Sequence, residues 1–152
     1  MKTLRFIGLL ISILCALSCS SSDDGEGESN KDVEYSSSIV GSWHYESTTR
    51  DTYKQYVLLE FSAGGDCTRY EKQNNRQSWI IDGVKHYGEW TITEYRYSYR
   101  WKIDSKKLAI YDYEDNNWST YPINITSKMI QFTGSSFTGA PFFERGNQAP
   151  NF

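Results

Sequence analysis

The plainest periodicity in the chain lies in residues 95–103, where Tyr95, Tyr97, Tyr99, Trp101 and Ile103 alternate with Arg96, Ser98, Arg100 and Lys102. A strict two-residue period puts successive side chains on opposite faces, so this stretch predicts a β-strand with one dry and one wet face. Residues 40–47, 56–62, 67–73, 78–81, 84–93, 108–113, 119–126, 129–133 and 141–145 have a similar character. Turn chemistry separates several of them, at Ala63-Gly64-Gly65-Asp66, Asp82-Gly83 and Asp104-Ser105-Lys106-Lys107. Asp82-Gly83, between residues 78–81 and 84–87, predicts a two-residue hairpin. Residues 84–103 hold no turn residue near Thr93 or Tyr95, which leaves two arrangements open: one long bent strand, or two strands broken by a bulge. No window carries a convincing helical period. Many short strands joined by tight turns predict an all-β domain, either a sandwich or an antiparallel meander barrel.

The start of the chain departs from this pattern. Lys2 and Arg5 precede an apolar run over residues 6–17, interrupted only by Gly8 and Ser12. About a dozen apolar residues fall short of the roughly 20 that span a bilayer and match the hydrophobic region of an export signal. Ala16-Leu17-Ser18 then places small residues before Cys19, where a lipoprotein signal peptidase cuts once the thiol is acylated. The plain alternative is an ordinary signal peptide cut near Ser20. The expectation is a signal peptide over residues 1–18 and a lipid on Cys19. No other stretch is long and apolar enough for a membrane helix, so that lipid is the expected anchor. Residues 20–30 carry no apolar side chain to offset the entropy of ordering. Residues 19–36 are therefore expected to form a flexible tether, with the domain over 37–147. The Ser20-Ser21-Ser22-Asp23-Asp24 run resembles the export signal of surface-exposed lipoproteins of the Bacteroidetes phylum. That resemblance implies an outer-membrane location facing the cell exterior.

Composition narrows the function classes. The formal net charge is −3. From Ser36 onward the chain carries thirteen Lys and Arg against thirteen Asp and Glu, so the domain itself is neutral. A neutral domain without a basic stripe argues against nucleic acid and against adhesion to anionic lipid. Of the three cysteines, Cys15 leaves with the signal and Cys19 is acylated. Cys67 is then alone, no intrachain disulfide forms, and the core must supply the stability.

Ile39-Val40-Gly41-Ser42-Trp43 opens the first strand as the Gly-x-Trp motif does in lipocalins. The stretches 58–66 and 99–110 resemble hairpins of the small lipocalin-like domains common among Bacteroidetes lipoproteins. This resemblance covers most of residues 39–145. It implies a single antiparallel meander barrel of about 8–10 strands, in which Trp43 closes the floor and an arginine late in the chain packs over its face. Arg145 is the candidate for that arginine. The family supplies a fold and a location more than an activity.

The chemistry-bearing residues do not form a catalytic pattern. On strict alternation His44 points away from the face of Trp43 and Tyr45, whereas His86 shares a phase with Val84, Gly88, Trp90 and Ile92 and is expected to face the interior. An inward histidine serves as a ligand contact, as a general base or, more commonly, as a buried group with a hydrogen-bond partner. Two histidines without cysteine partners or metal-ligand spacing do not make a metal site. Cys67 reads as a small buried hydrophobe. The acids Glu60, Glu71, Glu89, Glu94, Asp112, Glu114 and Asp115 are dispersed, and no phosphate-cradling glycine loop is present. No enzyme activity, cofactor or metal is expected.

The aromatic load is more informative: seven Phe, five Trp and twelve Tyr, 16% of the chain. Strand preference and core filling account for most of these. The remainder offer flat apolar faces with a polar edge, suited to sugar rings and to protein partners. Tyr53 and Tyr56, and Tyr111, Tyr113 and Trp118, bracket predicted loops and join His86 and Trp90 as candidate ligand contacts. Two functions follow as expectations: a lipid-anchored binding module taking a small apolar or glycan ligand at the barrel mouth, or a filled barrel acting through protein contacts at the cell surface.

Overall fold

The computed structural model describes residues 26–152. The signal peptide, Cys19 and the first part of the expected tether lie outside the described residues. The described residues form one helix and ten strands: α1 (Glu26–Ile39), β1 (Gly41–Arg50), β2 (Tyr53–Phe61), β3 (Asp66–Asn75), β4 (Ser78–Ile81), β5 (Val84–Tyr87), β6 (Thr91–Asp104), β7 (Lys107–Asp112), β8 (Asn117–Ile125), β9 (Met129–Phe132) and β10 (Phe142–Arg145). Eight of the strands close an antiparallel barrel in the order β1-β10-β9-β8-β7-β6-β3-β2, and β4 and β5 form a separate two-stranded arm. The all-β meander barrel read from the sequence is the observed fold. An eight-stranded barrel is just wide enough for side chains to fill.

Strand alternation places Val57, Leu59 and Phe61, Tyr99 and Trp101, Leu108 and Ile110, Ile123, Ile130, Phe132 and Phe143 in one buried cluster with Trp43 and Cys67. The barrel closes through a narrow seam. β1 and β10 pair at only Trp43↔Arg145 and His44↔Glu144. At this end the Arg145 guanidinium lies 4.2 Å from the centroid of the fully buried Trp43 ring. The same guanidinium donates to the carbonyls of Ser38 and Val40, and Trp43 Nε1 donates to the Ile39 carbonyl at 2.7 Å. Gly41 has φ of +126°, and a Cβ there would come within 3.1 Å of Arg145 Nη1. Glycine in the Gly41-Ser42-Trp43 motif therefore has two local causes, a backbone that L side chains rarely adopt and the approach of an arginine.

Two expectations are corrected. Residues 26–36, expected as part of the flexible tether, belong to α1, which no helical period announced. The cause is tertiary. Ile39 is fully buried in the barrel end, and Asp32 accepts from the backbone N–H groups of Ser105 (3.0 Å) and Lys106 (2.8 Å). Those two residues form the β6–β7 turn with φ of 52° and 59°, a left-handed pair without glycine, and the Asp32 carboxylate holds it. Second, the 84–93 stretch is not one strand. The chain leaves extended pairing at Gly88, Glu89 and Trp90, so β5 belongs to the arm and β6 starts afresh at Thr91. The arm's Asp82-Gly83 turn has φ of 51° and 78°, as the sequence requires of a two-residue hairpin.

Candidate functional site

The barrel wall is uneven. β6 pairs with β3 from Thr91 onward but with β7 only from Tyr99. Eight residues of β6, roughly 25 Å of strand, thus rise above the β7 side together with the ends of β1, β2 and β3. The inner face of this tall side, opposite the α1 floor, forms the mouth. Tyr95, Tyr97 and Tyr99 stack along it with centroids 6.2 Å apart at each step. Tyr95, at the top, is 40% exposed.

Next to this ladder stands a polar cluster from β2 and β3. Glu71 is only 3% exposed. It is ion-paired to Arg69, and its Oε1 accepts from both Gln55 Nε2 and Gln73 Nε2 at 2.6 Å. A carboxylate taken this far from water requires such a full set of partners. Arg69 in turn lies 5.1 Å from the Tyr97 ring and donates to the Phe137 carbonyl at 3.1 Å, while its buried Nε has no partner. Burial pushes the Tyr99 phenol up, partly offset by Arg69, so it stays protonated beside the guanidinium.

Phe137, from the β9–β10 loop, forms the plug below the mouth. Its ring packs against Tyr99 at 5.7 Å, Tyr121 at 5.6 Å and Phe132 at 6.2 Å. Below it the interior is occupied by the core aromatics and aliphatics. The mouth therefore presents a tyrosine face beside two fixed amides above a filled interior. It can hold a flat polar ring and satisfy that ring's hydroxyls. Among the described residues no three metal-binding side chains converge.

The aromatic candidates from the sequence are not gathered here. His86 is on the exposed arm, stacked 6.2 Å from Trp79, and does not face the barrel interior. The break at residues 88–90 disconnects its alternation from that of β6. Trp90 lies on the outer wall, 5.1 Å from Lys54 Nζ and 4.4 Å from the Arg76 guanidinium. Tyr53 opens β2 beside the β1–β2 turn. Tyr56 faces outward and donates to the Gln148 carbonyl at 2.5 Å. Tyr111, Tyr113 and Trp118 cluster at the β7–β8 turn, with Tyr111 5.3 Å from Tyr113 and 5.4 Å from Trp118. Cys67 is buried in the core, as expected.

Gln55, Arg69, Glu71, Gln73 and Phe137 were missed. One signal was available: Arg69, Glu71 and Gln73 share a phase with Cys67, so one face of β3 had to take charges inward. Among the described residues no helix is long and apolar enough to cross a membrane. No protein-family model, curated protein or solved structure matches the chain.

Proposed function

We propose that this chain is an outer-membrane lipoprotein, anchored through Cys19 and facing the cell exterior, whose barrel is a non-catalytic recognition module for a saccharide at its mouth. The observation that carries the reading is the buried Glu71 clamping the Gln55 and Gln73 amides beside the exposed Tyr95. Amides held in this way pair with hydroxyl groups in two directions, and the tyrosine face covers the apolar side of a pyranose. The filled interior favours a glycan over an apolar molecule enclosed in the lumen. The Gly41-Ser42-Trp43 and Arg145 pair supports the lipocalin-like resemblance. The binding test is a glycan array probed with the full chain. Retention of a glycan that falls about tenfold with Tyr95→Ala and with Gln73→Ala is the expected result, and equal retention by both variants rules the mouth out. The anchor test is Cys19→Ala, which is expected to release the protein from membranes or leave it unprocessed.

A second reading, protein contact at the cell surface, is favoured by the arm, where Trp79, Ile80, Ile81 and Val84 are all exposed and Ile80 reaches 72%. Replacing residues 76–90 by a two-residue turn would remove a partner's binding while leaving the barrel folded.

A further inference from the structure

The outer wall of a closed barrel is convex, yet this one carries a cleft of about 470 Å³. The cause is the segment after β10, which crosses the outside of β2 and β3 as a strap. It is pinned at several points. The Gly146 carbonyl lies 3.3 Å from His44 Nδ1, Tyr56 donates to the Gln148 carbonyl, the Asn151 side chain donates to Glu46 at 3.1 Å, and Lys72 donates to the Phe152 carbonyl at 2.5 Å. Between these pins Asn147, Ala149 and Pro150 bridge over the wall and form the roof of the cleft. Cross-strand register builds the floor, with Leu58 opposite Tyr70 and Tyr70 opposite Arg96. Leu58 is an apolar side chain on a wet face, and the Tyr70 ring lies beside it.

The charges around this floor are unequal in their commitments. Glu60 accepts from Thr68 at 3.3 Å. Burial, then a hydrogen bond to Glu94, pushes the Tyr70 phenol up, so Glu94 is engaged by Tyr70. Arg96 is different. Its guanidinium lies 5.0 Å from the Tyr70 centroid, and among the described residues it makes no ion pair. An arginine held over an aromatic ring at the edge of a concave site keeps its planar donors for an incoming anion.

We propose that the cleft beneath the strap binds a small ring-bearing carboxylate, its ring on Leu58 and Tyr70 and its carboxylate on Arg96. The cleft volume falls within the range of small-molecule sites. The cleft opens on the outer side of the wall. Arg69 and Tyr97, which also stand at the mouth, line it too, and Arg96 belongs to the cleft and not to the mouth, so its substitution tests this site apart from the glycan reading.

The test is amide NMR titration of the full chain with two carboxylates, D-glucuronate and 4-hydroxybenzoate, and with their neutral counterparts, glucose and 4-hydroxybenzyl alcohol. The two acids separate the sugar-acid and aryl-acid sources of the same chemistry. The expected result is that at least one acid shifts the Leu58, Thr68, Tyr70 and Ala149 amides, with affinity at least about tenfold above its neutral counterpart. Arg96→Gln should lose about tenfold, Arg100→Gln, outside the cleft, should lose nothing, and added salt should weaken the acid alone. Truncation after Gly146 removes the roof and should weaken binding without unfolding the barrel. The proposal is overturned if neither acid shifts these amides at about 50 mM, well above any useful Kd. It is equally overturned if Arg96→Gln binds as the native chain does, or if the neutral compounds bind as well as the acids.

Discussion

Arg145→Ala removes two kinds of contact at the barrel seam. One is the guanidinium face 4.2 Å over Trp43. The other is the pair of hydrogen bonds to Ser38 and Val40, around the end of α1. Because Arg145 is itself exposed, the ring contact belongs at the lower end of the cation–π range, about 0.5–1 kcal/mol. The hydrogen bonds and the packing of its stem bring the total to about 1–2 kcal/mol. Trp43→Ala empties a fully buried site and frees the Ile39 carbonyl, a loss of about 3–5 kcal/mol. In that background the guanidinium has no ring to cover, so Arg145→Ala should cost only its hydrogen bonds. The double mutant should then fall short of the sum by about 0.5–1 kcal/mol. Urea unfolding followed by far-ultraviolet circular dichroism measures the cycle, with Trp43→Phe as a milder partner should Trp43→Ala fail to fold. Arg145→Lys should lie between Arg145→Ala and the native chain, since an ammonium keeps the charge without the plane. Additivity within about 0.3 kcal/mol would refute the argument: the seam would then be held by its two backbone pairs, and the ring contact would be incidental.

Phe137→Ala should destabilise the domain by about 2–3 kcal/mol, less than a full core phenylalanine because the ring is half-buried, and urea unfolding checks it. Asp32→Ala should cost about 1 kcal/mol and speed amide exchange at Ser105 and Lys106, whose left-handed turn it leaves without an acceptor. The arm is tied to the β1–β2 turn through Asp51, whose carboxyl is held below its ordinary value of 3.8 by hydrogen bonds from Tyr87 and Lys85. A depressed carboxyl stabilises above its unfolded pKa and loses that contribution as pH falls through the folded one. Trp79 indole shifts should therefore move toward an undocked arm below about pH 4, and Asp51→Asn should abolish the pH dependence. Burial pushes the Cys67 thiol well above its usual range, so it should react with a thiol reagent only at the rate of unfolding.

The sequence by itself determined the local structure of the barrel. The alternation at residues 95–103 dictated β6, because a two-residue period allows only one arrangement with a dry face. Asp82-Gly83 dictated the arm's turn, because both positions require a left-handed backbone. Gly41, Trp43 and Arg145 were legible as a floor set only through the resemblance of Gly41-Ser42-Trp43 to the Gly-x-Trp motif, and the contact itself is a tertiary one. What only the tertiary structure decided was which faces meet. α1 lacks a helical period because it is held by Ile39 and Asp32 at the barrel end, partners more than sixty residues away for Asp32. β3 alternates Cys67, Arg69, Glu71 and Gln73 with Thr68, Tyr70, Lys72 and Asn74, and neither set is clearly apolar. Its orientation was set by pairing with β2 and β6, which turned Arg69 and Glu71 inward. The same pairing separated His86 and Trp90 from the mouth once the chain left its ladder at Gly88. The cleft on the outer wall exists only because the segment after β10 lies across strands nearly a hundred residues earlier, a relation of register and chain path that no local pattern encodes.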